Sequence, residues 1–282
     1  GYQYGDFESL SRPWGGIRYT TIASPDVSWE IATKQDLGID YSFFRDKFNG
    51  TIDFFRERRE GIYMSRSFLP GFVGLGSNPS ANVGEVKVQG VDGNVALKNK
   101  IGNVDLTLRA NMTYSKNEII ERDEENTIYP YRLQEGHRVN QARGLIALGL
   151  FKDYDDIRNS PQQSYGEVMP GDIKYKDING DGEINNDDIA AIGATTRPNF
   201  TYGFGLSASW KGLDFNVHFQ GVGKSSYFID GTSVYMFQGG SGWGNVLNQL
   251  ANSNRWQLGV NEDPNAEYPR LTYGANSNNY RK

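Results

Sequence analysis

A run of oxygen-bearing side chains in residues 177–188 is the part of this sequence best suited to chemistry. Acidic and amide residues stand at positions one, three, five and twelve of the run, and they are Asp177, Asn179, Asp181 and Asp188. Oxygens at these positions, with the backbone carbonyl of Glu183 at position seven, are the ligands that a hard cation prefers. Gly182 stands at position six, where such a loop turns sharply.

This spacing predicts a calcium ion that stabilises a loop, and a plainer interpretation stays open beside it. Asp188 stands where an EF-hand loop has a bidentate Glu, so we expect weaker binding or a different selectivity. No pair of amphipathic helices flanks the run, which disfavours a calcium-sensing switch. Segments rich in Asp, Asn and Gly also form tight turns without any ligand, so a turn that binds nothing is the alternative.

The rest of the sequence offers little that could carry out covalent catalysis. Cysteine is absent, which excludes thiol nucleophiles and Cys-ligated metal sites. The two histidines, His137 and His218, are far apart in sequence, and no Ser/His/Asp set stands in a recognisable context. A glycosidase would need two carboxyl groups facing each other about 5–10 Å apart, and nothing in the sequence places such a pair. We therefore predict that the chain is not an enzyme.

The composition favours a β protein. Aromatic residues make up 13% of the 282 residues and glycine occurs 34 times, a mixture typical of strands and tight turns. The net charge is −5 with both signs interspersed, which disfavours nucleic acid as a partner because that needs clustered Lys and Arg. No run of about 18 apolar residues exists, so the sequence contains no transmembrane helix.

Alternating apolar and polar residues predict long strands that are joined by tight turns. The alternation holds in four segments: 37–54, 91–98, 104–115 and 201–220. Short turns are predicted near Asp46-Lys47, over 99–103 and at Lys211-Gly212. Period-two alternation on both sides of such a turn is the pattern of a β-hairpin.

The length of these segments and the chemistry of their two faces favour a transmembrane β-barrel. About ten alternating residues suffice for a tilted strand to cross a bilayer, whereas soluble strands average about half that. The polar face would line a wet lumen, and its candidate substrate contacts are Asp105, Arg109, Asn111, Asp214, Asn216 and His218. A soluble β-sandwich with one buried and one solvated face would show the same alternation.

Loop lengths also favour the barrel. The predicted turns are short on one side, and the connections on the other side are long: 56–82, 118–199 and 221 to the end of the chain. Outer-membrane barrels have short periplasmic turns and long extracellular loops, and a soluble sandwich has less reason to sort its loops in this way.

Several motifs together resemble the SusC/RagA family of TonB-dependent outer-membrane transporters. The signature region consists of residues 170–184, 187–188, 192–193 and 197–204, beginning at Pro170 and ending at Phe204. Further matches are residues 28–30, 37–40, 82–86, 89–92 and 144–151. Asp92 replaces the family's usual Glu and Gln89 its usual Asn or Lys, and both are mild changes. The resemblance covers nearly the whole chain, from about residue 28 to residue 273.

The resemblance implies an all-β fold, in which residues 1–282 form part of one antiparallel barrel of roughly 22 strands. The chain would supply roughly six to nine of these strands. The run 177–188 would be an EF-hand-like or dockerin-like cation-binding loop within that domain. Because the family's TonB box and plug domain are not found here, they are expected in sequence outside this chain.

The resemblance also implies a function, namely active import of oligosaccharides or peptides through the outer membrane. The expected partners are a SusD-like surface lipoprotein, TonB through the N-terminal region, the lipid around the barrel, and the imported glycan or peptide. Two alternatives remain at this stage, a passive porin-like channel and a soluble carbohydrate-binding β-sandwich with a structural calcium ion.

Overall fold

Long strands dominate the chain, as the alternation predicts. The computed structural model describes residues 24, 26–67, 77–124, 127–229, 237, 246–272 and 278–280. In chain order its strands are β1 (Ile31–Phe43), β2 (Phe48–Ser65), β3 (Ser80–Ile101), β4 (Val104–Glu121), β5 (Gln141–Gly144), β6 (Ala147–Leu150), β7 (Gln162–Gln163), β8 (Ile173–Tyr175), β9 (Glu183–Ile184), β10 (Ala190–Thr195), β11 (Phe200–Trp210) and β12 (Leu213–Val222). The helices are α1 (Tyr154–Arg158), α2 (Asn248–Ala251) and 3-10 turns at Pro130–Arg132, Asn186–Asp188 and Asn278–Tyr280. None of these described helices has both the length and the hydropathy needed to cross a bilayer.

The described residues fall into two units. The sheet unit comprises the described parts of Gly1–Thr127, Leu133–Val139 and Asn199–Gly223. The loop unit comprises those of Ile128–Arg132, Asn140–Pro198 and Lys224–Lys282, and it contains the predicted cation-binding run. The assignment of all 282 residues to one barrel domain stays a prediction.

One antiparallel sheet of six strands forms the sheet unit, in the order β1-β2-β3-β4-β11-β12. Lys211 and Gly212 connect β11 to β12 with φ angles of 47° and 86°, which is the left-handed pair that a type I′ hairpin turn requires. Between β3 and β4 only Gly102 and Asn103 are left out of the strands, so this turn is shorter than the predicted 99–103.

One face of this sheet is apolar and exposed. Leu37, Phe54, Val91 and Tyr114 lie side by side in register across four strands, and the rows toward the turns are similarly apolar. Leu108 and Phe215 are 50% and 59% exposed on this face, and the neighbouring Leu106 and Val217 are half-buried. A soluble sandwich would bury these side chains in a core, so the arrangement favours a face that contacts lipid.

The height of the apolar face matches a membrane. β11 has 11 residues, and its partners on β4 run from Val104 to Tyr114. At about 3.4 Å per residue and a tilt near 40°, such a strand rises roughly 26 Å, close to the apolar band of about 25 Å on outer-membrane barrels.

The strands continue past this band, which corrects two predicted connections. The connection predicted over 56–82 is wrong in its bounds, because β2 extends to Ser65 and β3 begins at Ser80. The connection over 118–199 likewise begins later, since β4 extends to Glu121, and it contains the short strands β5 to β10. Beyond the band both faces of β2 carry charged residues, from Arg56 to Glu60, so the alternation disappears on this strand while its backbone ladder with β3 goes on.

The loop unit is held by a conventional buried core. Leu145, Tyr165, Tyr175 and Ile184 pack together, and β5 pairs with β10, β6 with β8 and β7 with β9. Gly171 has a φ of 87° and lies against the ring of Trp256, where a Cβ atom would collide with the indole. A glycine is therefore required after Pro170 for both backbone and steric reasons.

Candidate functional site

The polar face of the sheet carries a shallow pocket of about 340 Å³ over β3, β4, β11 and β12. Its polar lining residues are Asn94, Arg109, Asn111, Ser207, Asn216 and His218. The ladder places them together, because Arg109 lies opposite Gly205 and Gly205 lies opposite His218. The pocket offers amide groups, one guanidinium and one imidazole, a set able to hydrogen-bond hydroxyl, amide or carboxylate groups.

Two glycines on β11 form the floor of this pocket. A Cβ atom at Gly203 would lie 2.6 Å from Asn111 Oδ1 and 3.2 Å from the His218 ring. At Gly205 it would lie 2.9 Å from the Val217 carbonyl oxygen and 3.1 Å from His218 Nδ1. The absence of side chains here leaves room for the imidazole to lie across β11. Sequence reasoning did not identify this floor, although glycines two residues apart on a polar face were a usable signal.

The six predicted lumen residues all lie on the polar face, and four of them share the pocket. These four are Arg109, Asn111, Asn216 and His218. Asp105 on β4 and Asp214 on β12 both stand opposite Ser209 of β11. This row is nearer the turns and lies outside the pocket lining. The Asp105 carboxylate lies 3.2 Å from Lys100 Nζ, so its charge is already partnered. Contact of any of the six with a substrate stays a prediction.

An acidic region that sequence reasoning missed lies on the same face, over β1, β2 and β3. Asp53 stands directly opposite Asp92, and Asp36 and Asp40 stand on β1 with the same orientation. Asp40 accepts a hydrogen bond of 2.7 Å from Thr51 Oγ1. The polar face is therefore divided into an acidic side and a side that carries Arg109 and His218.

The predicted cation-binding run folds into a turn whose side chains accept hydrogen bonds from its own backbone. Asp177 accepts from the amides of Gly180 at 2.6 Å and Gly182 at 2.9 Å. Asp181 accepts from the Glu183 amide at 2.8 Å, and Asn179 accepts from Asp181 at 3.0 Å. Gly182 has a φ of 85°, which confirms the sharp turn at position six.

The carboxylate at position twelve, that of Asp188, connects two parts of the run by accepting hydrogen bonds from backbone amides. Asp188 is fully buried and accepts from the Ile178 amide at 2.8 Å and the Asn185 amide at 3.0 Å. The donor set is oxygen-rich and suits a hard cation. Across the described residues, however, no three carboxylate or imidazole groups come together closely enough to hold a metal ion. Calcium at Asp177, Asn179, Asp181, Glu183 and Asp188 thus stays a prediction.

The family model and the relatives that this chain matches all belong to the TonB-dependent receptors. Residues 1–279 match the family described as TonB dependent receptor-like, beta-barrel. TonB-dependent receptor P3 of Formosa agariphila is 26% identical over 219 residues, which cover 73% of this chain and 21% of that protein. TonB-dependent receptor P26 of the same organism is 25% identical over 268 residues, covering 90% of this chain and 26% of the relative. The chain thus spans about a quarter of the length of these relatives.

Solved structures show the same fold. The RagAB peptide importer in the "open-open" state superimposes with a TM-score of 0.66 at 19% identity, covering 93% of this chain and 28% of that chain. Its "closed-closed" state gives a TM-score of 0.63 at 20% identity, covering 94% and 28%. At this identity the likeness concerns the fold, and it agrees with the SusC/RagA resemblance of the sequence motifs. The chain belongs to the TonB-dependent receptor-like β-barrel family, an outer-membrane family of transporters.

Proposed function

We propose that this chain forms part of the barrel wall of an outer-membrane importer that takes up oligosaccharides or peptides with energy from TonB. The observation that carries the proposal is the two-sided sheet, whose apolar face is about one membrane tall and whose opposite face is polar. The RagAB structures, described as those of a peptide importer, support the class of function.

The pocket around Arg109 and His218 is the proposed contribution of this chain to substrate passage. Sugars and peptides both present hydroxyl, amide or carboxylate groups that its amide, guanidinium and imidazole groups could bind. Contacts of this kind assist passage when several weak ones follow one another, since a tight site would hold the substrate. The chain itself would carry out no covalent chemistry.

The partners are proposed from the same relationship. A SusD-like lipoprotein would cap the extracellular mouth, and TonB would act on a region of the full-length protein outside this chain. Co-purification of the full-length protein from outer-membrane fractions, followed by identification of the retained lipoprotein, tests the first partnership. Purification without any such lipoprotein would contradict it.

Uptake by cells that carry the full-length gene tests the function. Fluorescent oligosaccharides and peptides should enter cells that express the wild-type protein, and uptake should stop when TonB is deleted. Uptake that continues without TonB would instead indicate a passive porin-like channel. Arg109→Ala and His218→Ala should each lower the uptake rate several-fold, whereas Thr107→Ala, on the same face but outside the pocket lining, should not.

We also propose that the run 177–188 binds calcium and thereby stabilises the loop unit. The ligand spacing and the sharp turn at Gly182 support this proposal. Elemental mass spectrometry of the purified full-length protein should find about one calcium per chain at this site. Asp177→Ala and Asp181→Ala should each remove it, and retention of the metal by both variants would refute the assignment.

A further inference from the structure

The lipid-facing side of the sheet changes character abruptly at the outer end of the apolar band. The last apolar row consists of Leu37, Phe54, Val91 and Tyr114. The next row on the same face, two residues farther along each strand, consists of Gln35, Arg56, Gln89 and Lys116. All four of its side chains are exposed, and each one is a hydrogen-bond donor.

The two cations of this row differ from the other cations near it. Arg58 is paired with Glu60 and Glu85, at 2.9 and 2.8 Å. Arg59 is paired with Glu57 at 2.9 Å, and Lys34 lies 3.6 Å from the same carboxylate. In the described part of the chain no acidic group comes within ion-pair distance of Arg56 or Lys116.

The neighbouring row, with the carboxylates that pair with it, cancels only part of this charge. It carries Thr33, Arg58, Lys87 and Glu118, of which Glu118 is the acidic group on the strand of Lys116. Arg58 is paired with two carboxylates, those of Glu60 and Glu85, so one negative charge is left over there, while the Lys87 and Glu118 charges offset each other. The two cations of the first row above the apolar band thus have no ion-pair partner of their own, and the two rows together with these carboxylates keep an excess of one positive charge.

We infer that this row, Gln35, Arg56, Gln89 and Lys116, binds the phosphate groups of an anionic lipid headgroup in the outer leaflet. The inference rests on the proposed placement in the outer membrane, which puts this row at headgroup height. Arg56 and Lys116 are separated by one strand, about 9–10 Å between backbones, so both can reach one headgroup. The Arg guanidinium binds phosphate through two parallel hydrogen bonds, and the Lys ammonium adds a point charge.

The apolar row beneath completes the fit to a lipid. Phe54 and Tyr114 stand directly below Arg56 and Lys116 on the same strands, where acyl chains leave the headgroup. A soluble anion would use the cations alone, whereas a lipid uses the cations and the apolar row together. Charge and position therefore both point to a phosphorylated lipid.

Native mass spectrometry of the full-length protein in a non-ionic detergent tests the inference. The probes are lipid A with two phosphates, the same lipid without phosphates, and inorganic phosphate alone. Wild-type protein should retain the phosphorylated lipid, and Arg56→Gln/Lys116→Gln should weaken this retention about tenfold or more. The control Lys34→Gln/Lys100→Gln removes the same charge from two ion-paired lysines on the polar face and should retain the lipid as the wild type does.

Three results would overturn the inference: equal loss in the control, equal retention of the lipid without phosphates, or displacement of lipid A by millimolar inorganic phosphate. Heat-modifiable migration on gels establishes that each variant is folded. If the double variant does not fold, Gln89→Lys adds a third cation to the row and should strengthen retention, and unchanged retention would count against the site. A wild-type protein that imports substrate but retains no lipid A refutes only this inference, whereas absence from the outer membrane refutes the proposed function.

Discussion

The sheet unit and the loop unit treat their hydrophobic residues in opposite ways. In the loop unit Phe151 is 1% exposed and Ile184 is fully buried, as in a water-soluble protein. In the sheet unit Leu108, Phe204 and Phe215 are about half exposed on one continuous face. The difference shows that one chain is folded for two solvents, since apolar side chains turn away from water in the loop unit and toward lipid in the sheet unit.

Charged residues show the converse difference. The loop unit buries the carboxylates of Asp172 and Asp188 completely and surrounds each of them with hydrogen-bond donors. On the spanning part of the sheet, charged side chains such as Arg109 and Asp214 are exposed on the polar face. Buried charge is thus a stability element of the loop unit, whereas the sheet keeps charge where water can reach it.

Among the changes that test this comparison, removing the carboxylate of Asp172 should cause the largest loss of stability. Arg270 donates a 3.0 Å hydrogen bond from Nη2 to Asp172, and its Nε lies 2.7 Å from Oδ1 without the alignment of a hydrogen bond. Asp172→Ala leaves this guanidinium mostly buried and unpaired, and it should destabilise the loop unit by about 3–5 kcal/mol. Hydrogen exchange of amides 141–195 in the full-length protein measures the loss as faster exchange.

The same experiment contains its control. Glu167 is an exposed carboxylate in the same unit, and Glu167→Ala should leave the exchange rates of amides 141–195 unchanged. Exchange in the ladders of β3 and β4 should stay slow in both variants. Comparable effects of the two substitutions would show that the Asp172–Arg270 pair contributes no special stability.

A charge on the lipid-facing side should have the next largest effect. Leu108→Arg places a cation in the middle of the apolar band, at a cost of about 2–4 kcal/mol near the bilayer midplane. The full-length protein should then reach the outer membrane in much lower amounts, measured as the heat-modifiable fraction on gels. Thr107→Arg, one residue away on the polar face, should assemble almost normally, and equal assembly of both variants would contradict the assignment of the faces.

The sheet was largely predictable from sequence because a strand with lipid on one side and water on the other has regularly alternating apolar and polar residues. Alternation identified the Lys211-Gly212 turn and placed Arg109 and His218 on one face, as the ladder confirms. The signal ended at Phe54 although β2 continues to Ser65, because both faces of the strand contact water beyond the membrane band. Where the two faces have the same environment, period-two patterns carry no information about strands.

The candidate site was predictable only in part, for a different reason. Alternation assigns residues to a face, but a pocket needs the neighbours of each residue across strands. The pairing of Asp53 with Asp92 and the glycine floor beneath His218 depend on register between strands. The Asp172–Arg270 pair joins residues 98 positions apart and leaves no local trace in the sequence.

Removing the charge of a surface carboxylate of the loop unit, Asp156, should have the smallest effect on stability, and this effect should depend on pH. A 2.7 Å hydrogen bond from Lys174 Nζ holds the pKa of the Asp156 carboxyl below its ordinary value of 3.8, with help from the Lys152 amide. Because the pKa is lowered on folding, this group stabilises the folded unit above about pH 4, and the contribution is lost as pH falls through the lowered value. Asp156→Asn should therefore speed hydrogen exchange slightly at pH 7, by about 1 kcal/mol or less, and its difference from the wild type should shrink as the pH falls through the lowered pKa. A difference that does not change with pH would mean that packing of the side chain, and not its charge, stabilises this part of the loop unit.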